Sequence, residues 1–440
     1  MIKALPILDE KATGIDVGSE RLYVSVGGQE PRVFGAMTRD IGEVVQWLRE
    51  QQVRSVAMEA TGVYWMCLYA ALTAAGIQAL VVNGRQTRHV PGRKTDMADC
   101  QWIATLHAHG LLRSGFVPNA QIRQLQDYMR LREDHIRMAA SHVQHMQKAM
   151  ERMNVKLHDV ISDVTGVSGM KVIRAIVAGQ REPQQLLALC DVQIRKNKAQ
   201  RVIESLRGTW QREHLFALRQ ALTGWDFYQQ QMSECDQAME QVLQGMSGPG
   251  TGADSGHDTR GKTGGANTPR IEGLHKMLID LCGGVDPTRV PGMADHSLLR
   301  VISETGLDLM KWRTEKHFTA WTGLAPGTAQ SGKRRKNQAR ALTRVGHIFC
   351  DMARSAGTTV DSALGGFYRR LKARRGGLVA MKALARKLAV MFWQVMVHGT
   401  QYVEEGIKRY QARAALSEQR VLAKLASKHG MQLVSIPAPA

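Results

Sequence analysis

The chain has 440 residues, enough for two or three domains with cores of their own. Lysine and arginine number 59 against 39 acids, a formal net charge of +20, and 44% of the residues are hydrophobic. Such a charge excess adds no stability to a globular fold, because like charges repel, so it indicates a polyanionic partner: nucleic acid first, a membrane surface second.

A membrane protein and a metal-finger or disulfide-bonded protein are both disfavoured. The N-terminus, MIKALPILDEK, meets acidic residues too early to form the apolar core of a signal peptide. The most apolar late stretch, 378–397, carries Lys382, Arg386 and Lys387, which a membrane span would not tolerate without partners. None of the six cysteines forms a Cys-x-x-Cys pair. We therefore expect a cytoplasmic protein with reduced, mostly buried thiols and no membrane partner.

Residues 13–110 show the alternating strands and helices of an α/β domain. We expect one helix over 64–75, which stops at Gly76, and a second that is capped by Thr95 and runs to about Ala108. The strands are predicted at the apolar runs 15–17, 22–26, 53–58 and 77–82.

Two apolar seams with alternating steps of three and four follow, one from Ile122 to Leu157 and one from Leu215 to Met246. Arg132 is the only polar member of the first seam. Two such seams predict an antiparallel helical hairpin or a dimerising coiled coil, with the methionines as core. A Gly- and Ser-rich linker and a mostly helical part with one basic loop come next. The predicted domains are 1–118, 119–244, 245–270 and 271–430.

The stretch from Gly256 to Thr263 matches the phosphate-binding P-loop letter for letter. A P-loop works only between a strand and a helix, so that its backbone N–H groups face the phosphates. The flanks here are rich in glycine and proline, and we interpret the match as chance.

Four acids follow a pattern that indicates a metal site. Asp16 and Glu59 each lie at the end of an apolar run. Asp96 and Asp99 are spaced i, i+3 at the start of a helix, so they share a face. If the two strands are neighbours in one sheet and the helix packs beside it, the four carboxylates meet. They would then repel unless cations lie among them, and two Mg²⁺ ions roughly 4 Å apart could clamp a phosphodiester.

Other interpretations of these acids stay open. Each alone can be an ordinary surface acid. The run Gly14-Ile-Asp16-Val-Gly18 also opens the sugar-kinase and actin-like ATPase fold, the second enzyme class, which needs a second Asp-x-Gly phosphate loop that we do not find. We favour the metal site because bases surround the acids and suit a phosphate backbone that lies over metal ions. These bases are Arg85, Arg88, Arg93, Lys94 and Arg113.

The C-terminal part places a serine among cations. Ser331 precedes Gly332 and a run of bases, with no acid before Asp351. A hydroxyl held beside a DNA phosphate could attack it, because the cations stabilise the charge that develops on phosphorus. Without a covalent role, Ser331 would still lie in a loop that contacts backbone phosphates. The bases are Lys333, Arg334, Arg335, Lys336, Arg340 and Arg344.

In order and content, these motifs resemble the DEDD transposases of bacterial insertion sequences, in the 110/1111 family. The resemblance covers nearly the whole chain. It departs at Lys333, where the family often has a second glycine, and in the length of the Gly-rich stretch 245–268. The N-terminal motifs are Gly-Ile-Asp16-Val-Gly, Met-Glu59-Ala-Thr-Gly-Val-Tyr-Trp and Lys-Thr-Asp96-Met-Ala-Asp99. The C-terminal motifs are Val-Pro-Gly-Met, Ser-Glu-Thr-Gly, Trp-Thr-Gly-Leu-Ala-Pro-Gly and Gln-Ser331-Gly-Lys.

The resemblance implies that the α/β N-terminal domain is ribonuclease-H-like, as in Holliday-junction resolvases. It implies that the mostly α C-terminal part, beyond the coiled-coil arm, is a transposase domain. Family members work as dimers and tetramers, guided by a structured non-coding RNA that would pair with target and donor DNA. The family's serine, which forms a phosphoserine link to DNA, maps onto Ser331. Its Mg²⁺-binding tetrad maps onto Asp16, Glu59, Asp96 and Asp99.

We therefore predict an RNA-guided, Mg²⁺-dependent DNA transposase whose site combines the carboxylates of one subunit with Ser331 of another. A resolvase-like nuclease that uses only the carboxylates is the first alternative, and it would still cut DNA after Ser331→Ala. A non-catalytic nucleic-acid-binding protein is the second, and it would show no Mg²⁺-dependent loss of activity after Asp16→Asn or Asp99→Asn.

Overall fold

The computed structural model divides the chain into two compact units, Met1–Val117 and Pro118–Ala440. It describes residues 5–87, 95–246, 265, 267–331, 334–338, 341–359, 362–401, 412, 416 and 419–432.

The first unit is built on a mixed sheet with the strand order β3-β2-β1-β4-β5. Strands β1 and β2 are antiparallel, as are β2 and β3, whereas β4 runs parallel to both β1 and β5. The strands are β1 (Thr13–Val17), β2 (Arg21–Val26), β3 (Arg32–Gly35), β4 (Ser55–Glu59) and β5 (Gln78–Val82). The helices are α1 (Thr38–Glu50), α2 (Trp65–Ala74), α3 (Gly84–Thr87) and α4 (Asp96–Ala108).

Each predicted strand and helix of this unit is present within two residues of its expected ends. Strand β3 and helices α1 and α3 were not predicted. Strand β3 has four residues, of which only Phe34 is buried, so its apolar alternation is too short to recognise. Helix α1 buries only Val44 and Leu48.

Helices α1 and α2 cover one face of the sheet. Ile15, Met58 and Val24 from the strands are fully buried against Leu48 of α1 and Leu68 of α2. Because side chains alternate along a strand, the neighbours of these residues point to the opposite face.

The second unit is mostly helical. Its first helices are α5 (Ala120–Arg152), α6 (Leu157–Val160), α7 (Val167–Val177), α8 (Pro183–Ala188), α9 (Val192–Ser205) and α10 (Arg212–Met246). Then follow α11 (Leu274–Leu281), a 3-10 turn (Pro287–Arg289), α12 (Asp295–Thr305), α13 (Glu315–Trp321), β6 (Gly327–Ser331), β7 (Arg334–Gln338), α14 (Arg344–Thr358), α15 (Ala363–Arg375) and α16 (Gly377–His398).

The long helices α5 and α10 pack against each other in antiparallel directions. Near the start of α5, Arg132 binds Asp236 near the end of α10, with Nε 2.6 Å from Oδ1. Further along, the imidazole of His142 lies against Gly224. At the far end, the buried Met146 of α5 shares a core cluster with residues 218–222 of α10 and with residues of α6–α9. The seam methionines are core residues, as predicted.

The charged members of the two seams, Arg132 and Asp236, pair with each other. Arg132 and Asp236 have side chains that are each 4% exposed. Arg132 Nη1 also donates to the carbonyl oxygen of Asn267 at 2.8 Å, and the Arg270 N–H donates to Asp236 Oδ2 at 2.9 Å. This ion pair therefore holds the chain where it leaves the Gly-rich stretch, most of which lies outside the described residues, as does the P-loop match.

The C-terminal part of this unit has an aromatic core. Phe318, Phe349 and Phe392 are fully buried, and their ring centroids lie 5.8–6.2 Å apart. Within the described ranges, no helix is both long enough and apolar enough to cross a membrane.

All six cysteines are free thiols, and most are buried as expected. Cys67 is exposed and Cys282 is partly buried. The other four, which are buried, are Cys100, Cys190, Cys235 and Cys350.

Candidate active site

The sheet places Asp16 and Glu59 at the ends of two neighbouring strands. In the parallel pair β1 and β4, Ile15 lies opposite Met58, so the two acids lie one residue beyond this pair. Ile15 and Met58 belong to the core under α1 and α2. Asp16 and Glu59 therefore point to the opposite face, and both are half-buried.

Helix α4 packs on that opposite face and approaches β1 closely at Gly14. A Cβ atom on Gly14 would lie 2.2 Å from the Cys100 carbonyl oxygen and 2.3 Å from the Ala104 nitrogen, so only glycine permits this contact. Ile103 of α4 packs in the same layer against Ala57 of β4. The carboxylate face of β1 and β4 is thus the face that α4 covers.

The first turn of α4 carries the other two acids. Thr95 caps the helix, because its side-chain oxygen accepts a backbone N–H at 3.2 Å. Asp99 is half-buried and Asp96 is exposed. Burial raises the pKa of the Cys100 thiol to about 12, with smaller contributions from the negative charges of Asp16 and Asp99. The charges of Asp16 and Asp99 therefore both act on this thiol.

Glu59 is held in place by α3. Thr87 Oγ1 donates a hydrogen bond of 2.6 Å to Glu59 Oε2. A Cβ on Gly84 would lie 2.5 Å from Glu59 Oε1, so the glycine leaves room for the carboxylate. Neither Thr87 nor Gly84 was predicted from the sequence as a neighbour of Glu59.

Only part of the predicted basic rim lies in the described residues. Arg85 is an exposed residue of α3. Arg113 is also exposed, and its backbone N–H and carbonyl bind the side chain of Gln86 at 2.8 and 2.9 Å. The bases outside the described residues are Arg88, Arg93 and Lys94.

The basic loop of the C-terminal part is a β-hairpin. Strands β6 and β7 are antiparallel, and their last pair joins Ser331 to Arg334 across a connection of two residues. Ser331 thus ends β6 at the hairpin tip. Arg334, Arg335 and Lys336 lie in β7, whereas Lys333 and Arg340 are outside the described residues.

The base of this hairpin is fixed by α13 and α14. Gly323 has a φ of +77°, and its Cβ would lie 2.2 Å from the Ala341 carbonyl oxygen. The Thr343 N–H donates to the Thr322 carbonyl at 3.2 Å. Arg344, the last of the predicted phosphate-binding bases, starts α14 and binds Glu133 Oε2 at 3.2 Å, with 48% of its side chain exposed. The Arg344 guanidinium is therefore already paired with the Glu133 carboxylate.

Comparison with protein families gives two matches. A DEDD transposase model matches residues 13–155, a range that contains the four acids. A model described as the transposase IS116/IS110/IS902 family matches residues 288–369, a range that contains Ser331. The two matches support an IS110/IS116-family transposase. A comparison with curated proteins gives no match.

An IS110/IS116-family transposase is a DNA-modifying enzyme, and DNA is its partner. A DEDD transposase typically uses a divalent metal ion, and the described residues include one compact group of side chains that could hold such an ion. Among the described residues, this group is Glu151, His158 and Asp159, whose ligand atoms lie within 4.8 Å of one another.

That group is an ion-pair cluster at the end of α5. Lys156 hydrogen-bonds Glu151 and lowers the pKa of its carboxyl group, so an ammonium already occupies the place of a cation. His158 Nε2 lies 2.8 Å from Glu151 Oε1. Within the described residues, no three of the four predicted acids bring their oxygens this close together.

Proposed function

We propose that the chain is an RNA-guided DNA transposase that cuts and rejoins the strands of an insertion sequence. Its chemistry would combine a Mg²⁺-binding tetrad with a serine nucleophile, Ser331. The observation that carries the proposal is the position of Asp16 and Glu59, which end adjacent parallel strands on the face covered by α4. The tetrad is Asp16, Glu59, Asp96 and Asp99.

We also propose that the first unit is ribonuclease-H-like. The strand order β3-β2-β1-β4-β5 supports this, with an antiparallel β1–β2–β3 meander followed by two strands parallel to β1. In such a sheet, ligands bind at the carboxyl ends of the parallel strands, where the strand order reverses. That position in this chain is the end of β1 and β4.

The donor set fits a hard divalent ion. All four side chains offer carboxylate oxygens, which Mg²⁺ prefers. Glu59 keeps Oε1 available, because the Thr87 hydroxyl binds Oε2. Bound there, Mg²⁺ would polarise a phosphodiester and stabilise the charge that develops on its oxygens.

Ser331 would act on the phosphodiester directly. Its hydroxyl oxygen forms a bond to phosphorus, the bond from phosphorus to one sugar oxygen breaks, and that oxygen takes up a proton equivalent to the one the serine loses. Attack by a hydroxyl of another DNA strand reverses the step, restores a phosphodiester and frees the serine. The cationic side chains of β7 stabilise the pentavalent phosphorus between these states.

The two parts of the site belong to different units of the chain, so we propose that one subunit supplies the carboxylates and another supplies Ser331. A structured RNA would select donor and target DNA by base pairing. If covalently isolated monomers kept full strand exchange, the shared site would be wrong.

The test is an adduct assay with purified protein, a candidate guide RNA, donor and target DNA, and Mg²⁺. The wild type should give a covalent protein–DNA adduct on Ser331, seen on denaturing gels and located by mass spectrometry. Ser331→Ala should give none, and Asp16→Asn should give neither cutting nor adduct. Matched controls are Ser427→Ala at an exposed position and Asp134→Asn at a half-buried one, and both should behave as wild type.

The opposite outcomes separate the alternatives. Cutting that persists in Ser331→Ala would indicate a resolvase-like nuclease without a covalent step. Full activity of Asp16→Asn would reject the metal tetrad, and full activity without RNA would reject RNA guidance. No Mg²⁺-dependent activity in any variant would leave a nucleic-acid-binding protein.

A further inference from the structure

A pocket of about 420 Å³ opens between α5 and α10, near the end of the helix pair that packs on α6–α9. No acidic residue among those that the structure describes lines it. Most of its polar side chains come from α5. On the α10 side, the small residues Ala217 and Ala221 leave the space open. The lining bases are His142, His145, Lys148 and Arg152.

The two permanent cations of this pocket are available. Lys148 and Arg152 are exposed, and neither forms an ion pair within the described parts of the chain. The acid between them in the sequence, Glu151, is bound instead by Lys156 and His158. The positive charge of the pocket is therefore not neutralised by the protein itself.

The wall of the pocket depends on a glycine. A Cβ on Gly224 would lie 2.3 Å from His142 Cε1, so the imidazole reaches across α10 only because Gly224 has no side chain. His145 stands beside it, with the ring centroids 6.0 Å apart. Within the described residues, the buried Nδ1 of His142 has no hydrogen-bond partner.

We propose that this pocket binds a phosphate group of a nucleic-acid backbone. Two free cations, two imidazoles and the Gln220 amide offer N–H donors and no carboxylate, which suits an anion and disfavours a metal ion. Such a contact positions nucleic acid without reading its sequence. The inference rests on the proposed function only in requiring nucleic acid as the partner, not on the metal site or Ser331.

The test measures binding without Mg²⁺, so that catalysis does not enter. Fluorescein-labelled probes, a random-sequence DNA duplex and an RNA hairpin, are titrated with the full chain at several salt concentrations. We expect the double variant Lys148→Gln/Arg152→Gln to reduce the slope of log Kd against log salt by about one, because the pocket neutralises one phosphate. The matched control is Arg195→Gln/Lys196→Gln, which removes the same charge from exposed positions on α9.

A smaller slope with the RNA alone assigns the pocket to RNA, and with the duplex alone to DNA. An unchanged slope with both probes, or an equal change in the control, overturns the proposal. A second readout is lysine acetylation followed by mass spectrometry: bound nucleic acid should protect Lys148 but not Lys196, and equal labelling of free and bound Lys148 contradicts the pocket. A wild type that binds neither probe would overturn the proposed function as well. Normal DNA cutting with an unchanged slope would reject the pocket alone.

Discussion

The buried ion pair between Arg132 and Asp236 gives the most quantitative prediction. Both side chains are 4% exposed, so solvent screens their charges little. Arg132→Met would leave the Asp236 carboxylate buried, with the Arg270 N–H as its remaining hydrogen-bond donor among the described residues. Removal of one partner from a buried pair typically costs about 3–5 kcal/mol, because the other charge loses its compensation. We expect this loss in the free energy of unfolding of the second unit.

A double variant separates pairing from burial. Arg132→Met combined with Asp236→Leu removes both charges, and apolar pairs of this kind are often as stable as the ion pair. The Asn267 carbonyl and the Arg270 N–H would still lose their side-chain partners. Asn267 and Arg270 are exposed residues, so water can hydrate these two groups at a cost below that of a buried unsatisfied group. The double variant should therefore be more stable than Arg132→Met and less destabilised than the sum of the two single variants.

Urea denaturation followed by far-UV circular dichroism gives these free energies and their coupling. The control is Arg137→Met on the same helix, because Arg137 binds Asp134 with both side chains largely exposed. Exposed pairs contribute about 0.2–1 kcal/mol. If Arg132→Met and Arg137→Met proved equally stable, or if the single costs at Arg132 and Asp236 simply added, the pair would not be the structural link inferred here.

Three further predictions concern the fold and the site. Gly14→Ala places a Cβ 2.2 Å from the Cys100 carbonyl oxygen and should destabilise the first unit by about 1–3 kcal/mol in urea denaturation. The control Gly42→Ala, whose Cβ would have no atom within 4 Å, should stabilise the unit slightly. If Gly42→Ala were the less stable variant, the close contact between Gly14 and α4 would be contradicted. Burial, with a smaller contribution from Arg300 and Arg132, lowers the pKa of His296 from 6.5 to about 4. The folded state therefore favours the neutral imidazole, so this contribution to the free energy of unfolding is complete above pH 6.5 and falls by up to about 3 kcal/mol as the pH drops toward 4. His296→Gln should flatten the pH dependence of the free energy of unfolding. An unchanged pH dependence would contradict the role of His296. Thr87→Val should reduce the rate of Mg²⁺-dependent cutting about tenfold without weakening DNA binding, because it removes the hydrogen-bond donor to Glu59. The control is Thr73→Val on α2, which should cut at the wild-type rate. Equal cutting rates in the two variants would show that Thr87 does not position Glu59.

Local signals in the sequence predicted most elements of the first unit, but not β3, α1 or α3. Thr95 caps α4 as its residue type and position indicated. The apolar runs gave four of the five strands. Local signals do not show which strands are neighbours in the sheet, because the backbone hydrogen bonds between two strands are the same whichever strands pair. From the sequence, Asp16 and Glu59 are therefore expected to meet only if β1 and β4 are neighbours.

The contacts that the sequence did not predict depend on tertiary packing. Arg132 was recognisable as the exception in an apolar seam, but a seam does not say which residue of the other helix faces it. Asp236 became its partner only through the register of the antiparallel pair. Thr87 was missed for a similar reason, because a threonine in a short turn becomes a carboxylate partner only when that turn folds back over the end of β4.

Sheet order decides whether Asp16 and Glu59 can share an ion. Neighbouring strands lie about 4.8 Å apart, so two carboxylates on the same face of adjacent strands can reach metal ions that are roughly 4 Å apart. One intervening strand would double that backbone separation and would place a third side chain between the acids. In the observed order β1 and β4 are in contact, and α4 approaches their common face at Gly14 with Asp99 in its first turn. The candidate metal site therefore depends as much on a glycine with no chemistry of its own as on the acids that would bind the metal.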